Sequence, residues 1–422
     1  MLKKFFRAYS KKALHHILKF LKWTLISIIT GSVVGSLSTL FAFCMNTATD
    51  YRTENGYMLF FLPLAGIVTV FLYSIFKYKN DKGTNLVLST IHAKSEIPFR
   101  MAPLIFTATI LTHLFGGSAG REGAALQLGG SVGNQLGRWF RLDPADKRVV
   151  VLAGMSAAFS AVFGTPMAAA LFSMEVVSVG VMYYAALVPC VFSSLIAAYI
   201  ASLFGVKETS FTAVKFPGMT IFGAAETIIL AVLCALLSII FIVMLHKTGD
   251  LFRKYLKNPY IRIFLAGCAI VLLSVIFNTR DYNGAGLPVI AKAVNEGQAV
   301  PYAFILKMIF TAITIEAGFR GGEIVPSFFI GATFGCTFGS LIGFSPSVCA
   351  AVGLIAVFCG VTNCPITSML ISFELFGDGG IYYFMIAIAV SYFMSGYYGL
   401  YKDQTIVYSK YKARYLNRKT RQ

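Results

Sequence analysis

A chain of 422 residues that is 57% hydrophobic and 14% aromatic but only 13% charged is not an ordinary water-soluble protein, because soluble domains carry about 25% charged residues. Its mean hydropathy of +0.73, and several apolar runs near the ~20 residues needed to cross hydrocarbon, define a polytopic membrane protein. The 36 Lys and Arg against 18 acidic residues would point to nucleic acid in a soluble protein. Here they gather at the ends and in short loops, so they report topology, and the partner is a lipid bilayer with no nucleic acid.

The first 23 residues, MLKKFFRAYSKKALHHILKFLKW, hold seven basic and no acidic side chains. Apolar residues interleave with the lysines at helical spacing, which predicts a basic cytoplasmic or interfacial amphipathic segment over 1–23. No short apolar core with a small-residue cleavage site is present, so this is not read as a signal peptide. The last 22 residues, from Tyr401, again hold seven basic residues and one Asp, and residues 407–422 are read as a basic cytoplasmic tail. The positive-inside bias places both termini in the cytoplasm. The eight cysteines lie in apolar surroundings without a CxxC pair, and the five histidines show no ligand spacing. No metal, disulfide framework or other cofactor is therefore expected.

The clearest early crossings are 24–46 and 57–77, joined by a polar loop with Asp50 and Glu54. Lys77, Lys79 and Lys82 then return the chain to the inside. Beyond them the hydropathy is ragged: apolar stretches near 101–115, 124–136, 149–163 and 166–174 are broken by Gly and Pro, and several are too short to span alone. Short, glycine-interrupted segments in matching places of two halves mark broken-helix transporters. A repeat is present. GSAGREGAALQLGGSVG from Gly117 aligns with GFRGGEIVPSFFIGATFG from Gly318, setting Glu122 on Glu323 and Gly130 on Gly331, both 201 residues apart. Farther on, Gly154 falls on Gly353, Pro166 on Pro365 and Glu175 on Glu374, all 199 apart, so one two-residue gap reconciles the blocks. The predicted organisation is a first membrane repeat over 24–245, a linker over 246–262 and a second repeat over 263–406. An inverted repeat with an odd number of crossings per half puts that linker outside, where Lys247, Arg253, Lys254, Lys257 and Arg262 oppose the charge bias.

Intramembrane acids are costly and normally functional. The candidates are Glu122, Glu175, Glu226, Glu316, Glu323, Glu374 and Asp378. Glu122 stands in GxxGREG just before an apolar run. Glycines there suit a tight turn, and the following helix aims its partly positive N-terminus, about half a charge, into a cavity. Glu323, in GGEIVP, has the same setting, with Pro326 in the helix's first turn, where its missing N–H costs nothing. Two repeat-related helix N-termini pointing inward make an anion site. The plain alternative for such a carboxylate is a cap on its own helix. That reading, or a structural pairing, is favoured for Glu175 and Glu374, which lack the glycine turn. For Glu122 and Glu323 function is favoured, because an ionised carboxylate competes with an anion and leaves once protonated, which links proton uptake to anion entry.

These residues resemble a known family. GSAGREG at 117–123, GTPMAAALFSMEV at 164–176, GGEIVP at 321–326 and the tyrosine of GLYKDQ look like the CLC chloride channel and antiporter family, over about residues 24 to 406. The resemblance implies an all-α integral membrane fold, a CLC-type inverted repeat of broken and tilted helices, a homodimer, and a separate anion pathway per subunit. It implies that Glu122 is the gating glutamate and that the hydroxyl of Tyr401 faces the central anion; the alternative for Tyr401 is an interfacial aromatic beside Tyr397 and Tyr398. The anion site would draw on Gly83, Thr84 and Asn85, Gly120, Arg121 and Gly123, and Gly322 and Val325.

The departures narrow the branch. Chloride/proton exchangers carry an inner relay glutamate directly after the Glu matching Glu175, and here that position is Val176. The serine-bearing GSGIP is replaced by Gly83-Thr84-Asn85-Leu86-Val87, and GGxFxP becomes GGEIVP, which adds Glu323. The combination resembles the fluoride/proton antiporter branch, with Val325 standing where such relatives carry Thr. The expectation is a secondary active transporter, not an enzyme, exporting fluoride across the plasma (inner) membrane in exchange for protons. Glu122 shuttles protons and Glu323 substitutes for the missing inner relay. Arg121 and Arg320 are read as balancing the acids, staying solvated at a vestibule or anchoring loops, with structure favoured for Arg320, and Val87, Phe328 and Phe329 as packing more than route. A chloride-selective channel or exchanger is the alternative. An intramembrane hydrolase using Asp378 is a distant third, because no second apposed aspartate is evident. The chain ends soon after its last span, so appended regulatory domains are not expected.

Overall fold

The computed structural model describes residues 2–76, 83–92, 96–206, 211 and 214–420, with side chains from residue 12 onward. Lys77, Lys79 and Lys82, which the sequence reading returns to the inside, lie outside the described residues. The first half carries α1 (Leu2–Glu54), α2 (Leu62–Ile75), α3 (Thr84–Ile91), α4 (Met101–Leu114), α5 (Glu122–Trp139), α6 (Pro144–Phe163), α7 (Pro166–Glu175) and α8 (Leu187–Leu203). The second carries α9 (Ile221–Tyr255), α10 (Pro259–Ile276), α11 (Leu287–Ala291), α12 (Ala303–Ala317), α13 (Ile324–Ile342), α14 (Pro346–Thr362), α15 (Pro365–Phe376) and α16 (Ile381–Met394). Six helical stretches are long and apolar enough to cross a membrane, while α4, α14, α15 and α16 are shorter apolar pieces. The broken-helix pattern expected from the sequence is the observed one.

The basic segment read over 1–23 is, in its described residues 2–23, not a separate unit. It is the start of α1, whose 53 residues span about 80 Å at 1.5 Å per residue, far beyond ~30 Å of hydrocarbon. Lys22 Nζ donates to Asp146 Oδ2 at 2.9 Å, tying the basic end of α1 to the head of α6. Asp143 caps α6 by accepting from Ala145 N (2.8 Å) and Asp146 N (2.9 Å), with Pro144 at the first helical position. The far end of α1, at Asp50 and Arg52, marks the opposite face of the molecule.

Residues 246–255 are not a linker either. They are the last turns of α9, one continuous helix of 35 residues, which packs on α12, α13, α14 and α16. The reason is local: His246 and Gly249 are buried against the body while Lys247, Asp250 and Lys254 take the other face. Within the basic tail read over 407–422, residues 407–420 are described and are not separate from the membrane body. β2 (Thr405–Tyr408) and β3 (Tyr415–Lys419) pair antiparallel, and β1 (Ser178–Val179) pairs parallel with β2, so the C-terminal segment is stitched to the end of the first half.

Close backbone approach builds each half. On α5, side chains at Gly129, Gly133 and Gly137 would collide with Gly154, Val150 and Lys147 of α6. On α13, side chains at Gly331, Gly335 and Gly339 would meet Gly353, Cys349 and Pro346 of α14. Without a hydrophobic drive between helices inside a bilayer, small residues gain association energy from close packing. The two ladders are 202 residues apart, so Gly331 matches Gly129 and not Gly130, and the gap between the aligned blocks is three residues, not two.

Glu175 and Glu374 obey the structural reading, with a twist. Neither caps its own helix. Glu175, at the end of α7, accepts from Ile366 N (3.0 Å), Thr367 N (2.7 Å) and Thr367 Oγ1 (2.6 Å) at the start of α15. Glu374, near the end of α15, accepts from Met167 N (2.8 Å) and Ala168 N (2.9 Å) at the start of α7. Each half thus satisfies the orphan amides of the other.

Two outcomes follow. Gly129→Val or Gly331→Val should abolish the monodisperse size-exclusion peak in detergent, whereas Gly218→Ala, where an added Cβ meets nothing within 4 Å, should leave it intact. Glu175→Ala, which orphans buried donors to a carboxylate, should lower stability by about 3 kcal/mol, read as a fall in thermal midpoint. Asp378→Ala, at an exposed turn, should change it by less than about 0.5 kcal/mol.

Candidate anion and proton site

The two glycine loops identified in the sequence meet back to back. Gly120 N donates to Gly322 O at 2.7 Å and Gly322 N to Gly120 O at 2.8 Å, an isolated antiparallel bridge. Threonines reinforce it from both sides: Thr314 Oγ1 accepts from Ser118 N and Thr112 Oγ1 from Arg320 N, each at 3.1 Å. These pairs are again 202 residues apart. The loops leave α5 and α13 with their N-termini aimed at one point, and α3 adds a third. A Cβ on Gly123 would lie 3.0 Å from Gly322 Cα and 3.1 Å from Thr84 Oγ1, so the bare glycine lets the three elements converge.

Glu122 fills that point. It is fully buried, and its Oε1 accepts from Val325 N, in the first turn of α13, at 2.9 Å. The amides of Ile324, Arg121 and Glu122 itself turn their positive ends toward the carboxylate. The carboxylate therefore stands where an anion would be held: it begins one half's helix and is bound by the other's. Its Oε2 has no hydrogen-bond partner among the described residues.

Glu323 does not mirror it. With Gly120 opposite Gly322, the counterpart of Glu122 is Ile324, and Glu323 matches Arg121, so the alignment of the two glutamates is one residue out of register. Glu323 occupies the position before α13, makes no side-chain cap, and is half-buried. It interacts electrostatically with Glu122, and both act on the hydroxyl of Tyr401. A proton taken or lost by one member of such a set is felt by the others.

The remaining site residues divide. Gly83, with φ +58°, starts α3, and Thr84 is buried beside Gly123. Asn85 accepts from Asp403 N through Oδ1 at 3.1 Å, so it also anchors the turn carrying Tyr401. That turn is held again by Gln404 Nε2, which donates to Val176 O (3.0 Å) and Thr362 O (2.8 Å). Tyr401 is buried, and its hydroxyl has no hydrogen-bond partner among the described residues. Arg121 turns away from the center: Nη1 donates to Asn46 at 2.9 Å, and the side chain lines a cavity of about 500 Å3 with Arg52, His113 and Arg280 at the Arg52 face. Arg320 stacks on Tyr73 at 4.3 Å and lines a second cavity, about 320 Å3, at the opposite face. Val87 packs on Gly130, Phe328 on Phe163 and Phe358, and Phe329 on Tyr282. Asp378 is exposed in a turn, which removes the hydrolase reading.

Sequence reading passed over two buried groups near Glu122. Gln127, one turn into α5, donates to Gly123 O at 3.1 Å and leaves Oε1 without a hydrogen-bond partner. Lys307 is wholly buried on α12 and donates to Tyr282 O (3.1 Å) and Gly284 O (2.7 Å). A lone lysine in the apolar run AFILKMIF was the available signal.

Broken helices from two inverted halves, meeting N-terminus to N-terminus around a carboxylate, define an anion transporter of the inverted-repeat type. The chain belongs to the CLC family: residues 65–396 match the family model described as voltage gated chloride channel. It is 33% identical over 397 residues to a protein named chloride/fluoride channel protein from Pseudomonas syringae pv. tomato, covering 92% of this chain and 88% of that one. It is 23% identical to an H+/Cl− exchange transporter of Vibrio cholerae serotype O1, over 83% of this chain and 81% of the relative. Among solved structures it is similar to a CLC-type fluoride/proton antiporter, with a TM-score of 0.88 and 30% identity over 92% of this chain and 98% of that one. A slow cyanobacterial Cl−/H+ antiporter, at 20% identity over 88% of this chain and 94% of that one and a TM-score of 0.76, shares the fold.

Because the Tyr401 hydroxyl has no partner among the described residues to leave stranded, Tyr401→Phe should not lower the thermal midpoint. It should weaken halide binding about fivefold, the net worth of one hydrogen bond, measured by calorimetry on purified protein.

Proposed function

We propose that this chain is a fluoride/proton antiporter that exports fluoride in exchange for protons. The observation that carries the reading is the Glu122 carboxylate bound by the amide of Val325 in the first turn of α13, with Glu323 and Tyr401 in electrostatic reach. An ionised Glu122 holds the anion's place; protonated, it gives up its charge-assisted bonds and the place passes to the halide. Proton and anion thereby alternate at one site without metal or nucleotide.

Fluoride is small and strongly hydrated, so its site must replace water with dense donors. The helix amides, Thr84 Oγ1, Asn85 Nδ2 and Tyr401 Oη supply them, with Gly83, Gly120, Gly123 and Gly322 keeping the backbone close. The names of the chloride/fluoride channel relative and the fluoride/proton antiporter structure support this assignment. Val325 favours the second reading, a chloride/proton exchanger, because an apolar side chain beside the route gives no hydroxyl and suits a larger, more weakly hydrated ion.

The membrane is assigned as the plasma (inner) membrane, with both termini cytoplasmic and the chain working as a homodimer. The face carrying Lys22, Lys147, Arg253, Lys257 and Lys402 is the cytoplasmic one by the positive-inside bias. Because α9 runs unbroken to Tyr255, residues 246–262 belong to that face, and the charge conflict of the sequence reading disappears. The join between the repeats falls instead at 204–220.

Proteoliposomes loaded with fluoride and then chloride, with anion and pH electrodes recording together, test the proposal. Fluoride efflux should drive proton uptake and outpace chloride efflux, and Glu122→Gln should abolish coupled exchange. Faster chloride efflux would favour the exchanger, and proton uptake that persists in Glu122→Gln would defeat the role given to Glu122.

A further inference from the structure

Protons that reach Glu323 need a way to the cytoplasmic water. The place where chloride/proton exchangers keep an inner carboxylate offers none: Val176 is buried, and its carbonyl is taken by Gln404. Another acid lies on the right side of the site. Glu316 sits one residue from the end of α12, which packs on α9. A Cβ on Gly249 of α9 would collide with Glu316 Oε2, with Arg253 Nη2 3.3 Å from the same point. The bare surface of Gly249 therefore receives the carboxylate.

The surroundings of Glu316 are unlike those of a structural ion pair. It faces Asp250 and Arg253 on α9, Arg262 on α10 and Lys402 beside Tyr401, with His246 close to Lys402, Asp250 and Arg253. Yet it makes no hydrogen bond or ion pair among the described residues. Both arginines that face it are engaged elsewhere: Arg253 Nη2 donates to Asp250 Oδ1 at 2.7 Å, and Arg262 Nε to Ala317 O at 3.0 Å. Arg262, Ala317, Gly318 and Arg320 line the cavity of about 320 Å3 on this face, so the chain immediately after Glu316 borders open space. Glu316 is also within electrostatic reach of Glu323. An intramembrane acid left unpaired between a charged aqueous face and a second acid is placed for proton transfer.

We infer that Glu316 is the inner proton-relay carboxylate, passing protons between Glu323 and the cytoplasmic water at the Arg253–Lys402 face. During fluoride export the O–H bond of Glu323 breaks and the proton moves, directly or through intervening water, onto an oxygen of Glu316. The Glu316 O–H then breaks and the proton leaves to cytoplasmic water, restoring both carboxylates. The inference rests on the antiporter reading and adds to it a third residue in series, Glu122, Glu323, Glu316.

Wild type, Glu316→Gln, Glu316→Ala and Glu316→Asp are compared in proteoliposomes, with fluoride efflux and proton uptake recorded together and folding checked by size exclusion. Loss of a proton-transfer group costs about a hundredfold or more in rate. Fluoride-driven proton uptake should therefore fall about a hundredfold in the Gln and Ala variants. Their fluoride efflux should persist, and Asp should restore uptake. Either of the Gln and Ala variants suffices if the other does not fold. Equal proton uptake per fluoride in wild type and a folded Gln or Ala variant would overturn the inference, and so would parallel loss of both fluxes. A wild type that moves fluoride without protons would overturn the antiporter reading itself, and this relay with it.

Discussion

Two helices point their N-termini at each other across the middle of this protein, and each brings roughly half a positive charge to a place with little water. Left alone, these ends would repel and their first amides would stay unsatisfied. The Gly120–Gly322 bridge forces them together regardless, through two short backbone hydrogen bonds. The contact therefore requires an anion. Glu122 supplies it, fixed to α5 by its own backbone and to α13 by Val325 N. The structure makes an anion-shaped demand in its core and meets it with a side chain of its own.

That demand can be met only if the surrounding helices hold still. The glycine ladders of α5 on α6 and α13 on α14 give backbone-to-backbone contact, which leaves no side chain free to relax into the site. The reciprocal caps of Glu175 and Glu374 join the two halves elsewhere by the same physics, a carboxylate on the other half's helix start. The difference is satisfaction. Glu175 accepts three hydrogen bonds from α15, whereas Glu122 leaves Oε2 without one. A carboxylate with both oxygens engaged is a rivet, and one with an oxygen to spare is held less tightly.

Much of this was legible in the sequence because it rests on local residue chemistry. GSAGREG and GGEIVP announce glycine turns before helices, and their spacing announces a duplication, so the site's center and the broken-helix architecture were readable. The failures share a cause, which is that sequence offsets do not show which backbones touch. One residue of register error placed Glu323 opposite Glu122, and the hydrogen-bonded pair Gly120–Gly322 was needed to correct it. The polar residues 246–255 resembled a linker because charge was read without the buried stripe, including His246 and Gly249, that makes them helix. The ties on the turn of Tyr401, from Asn85 to Asp403 and from Gln404 to Val176, run over hundreds of residues and leave no local pattern.

The one-residue offset has consequences for transport. Two glutamates in strictly equivalent positions would each start a helix and each answer to the same pair of dipoles, so they would compete for one place and act in parallel. Glu323 instead lies one residue before its helix, half-buried, without a cap and facing both Glu122 and Glu316. It is thereby released from holding α13 together, a duty the carboxylate of Glu122 already performs from the other half. A pseudo-symmetric fold has no built-in direction, because inversion exchanges its two faces. Setting the second acid out of register breaks that symmetry at the site itself. It leaves one carboxylate bound at the center and a second displaced beside it, which is the arrangement the proposed exchange needs to move a proton along a line while an anion crosses in the opposite sense.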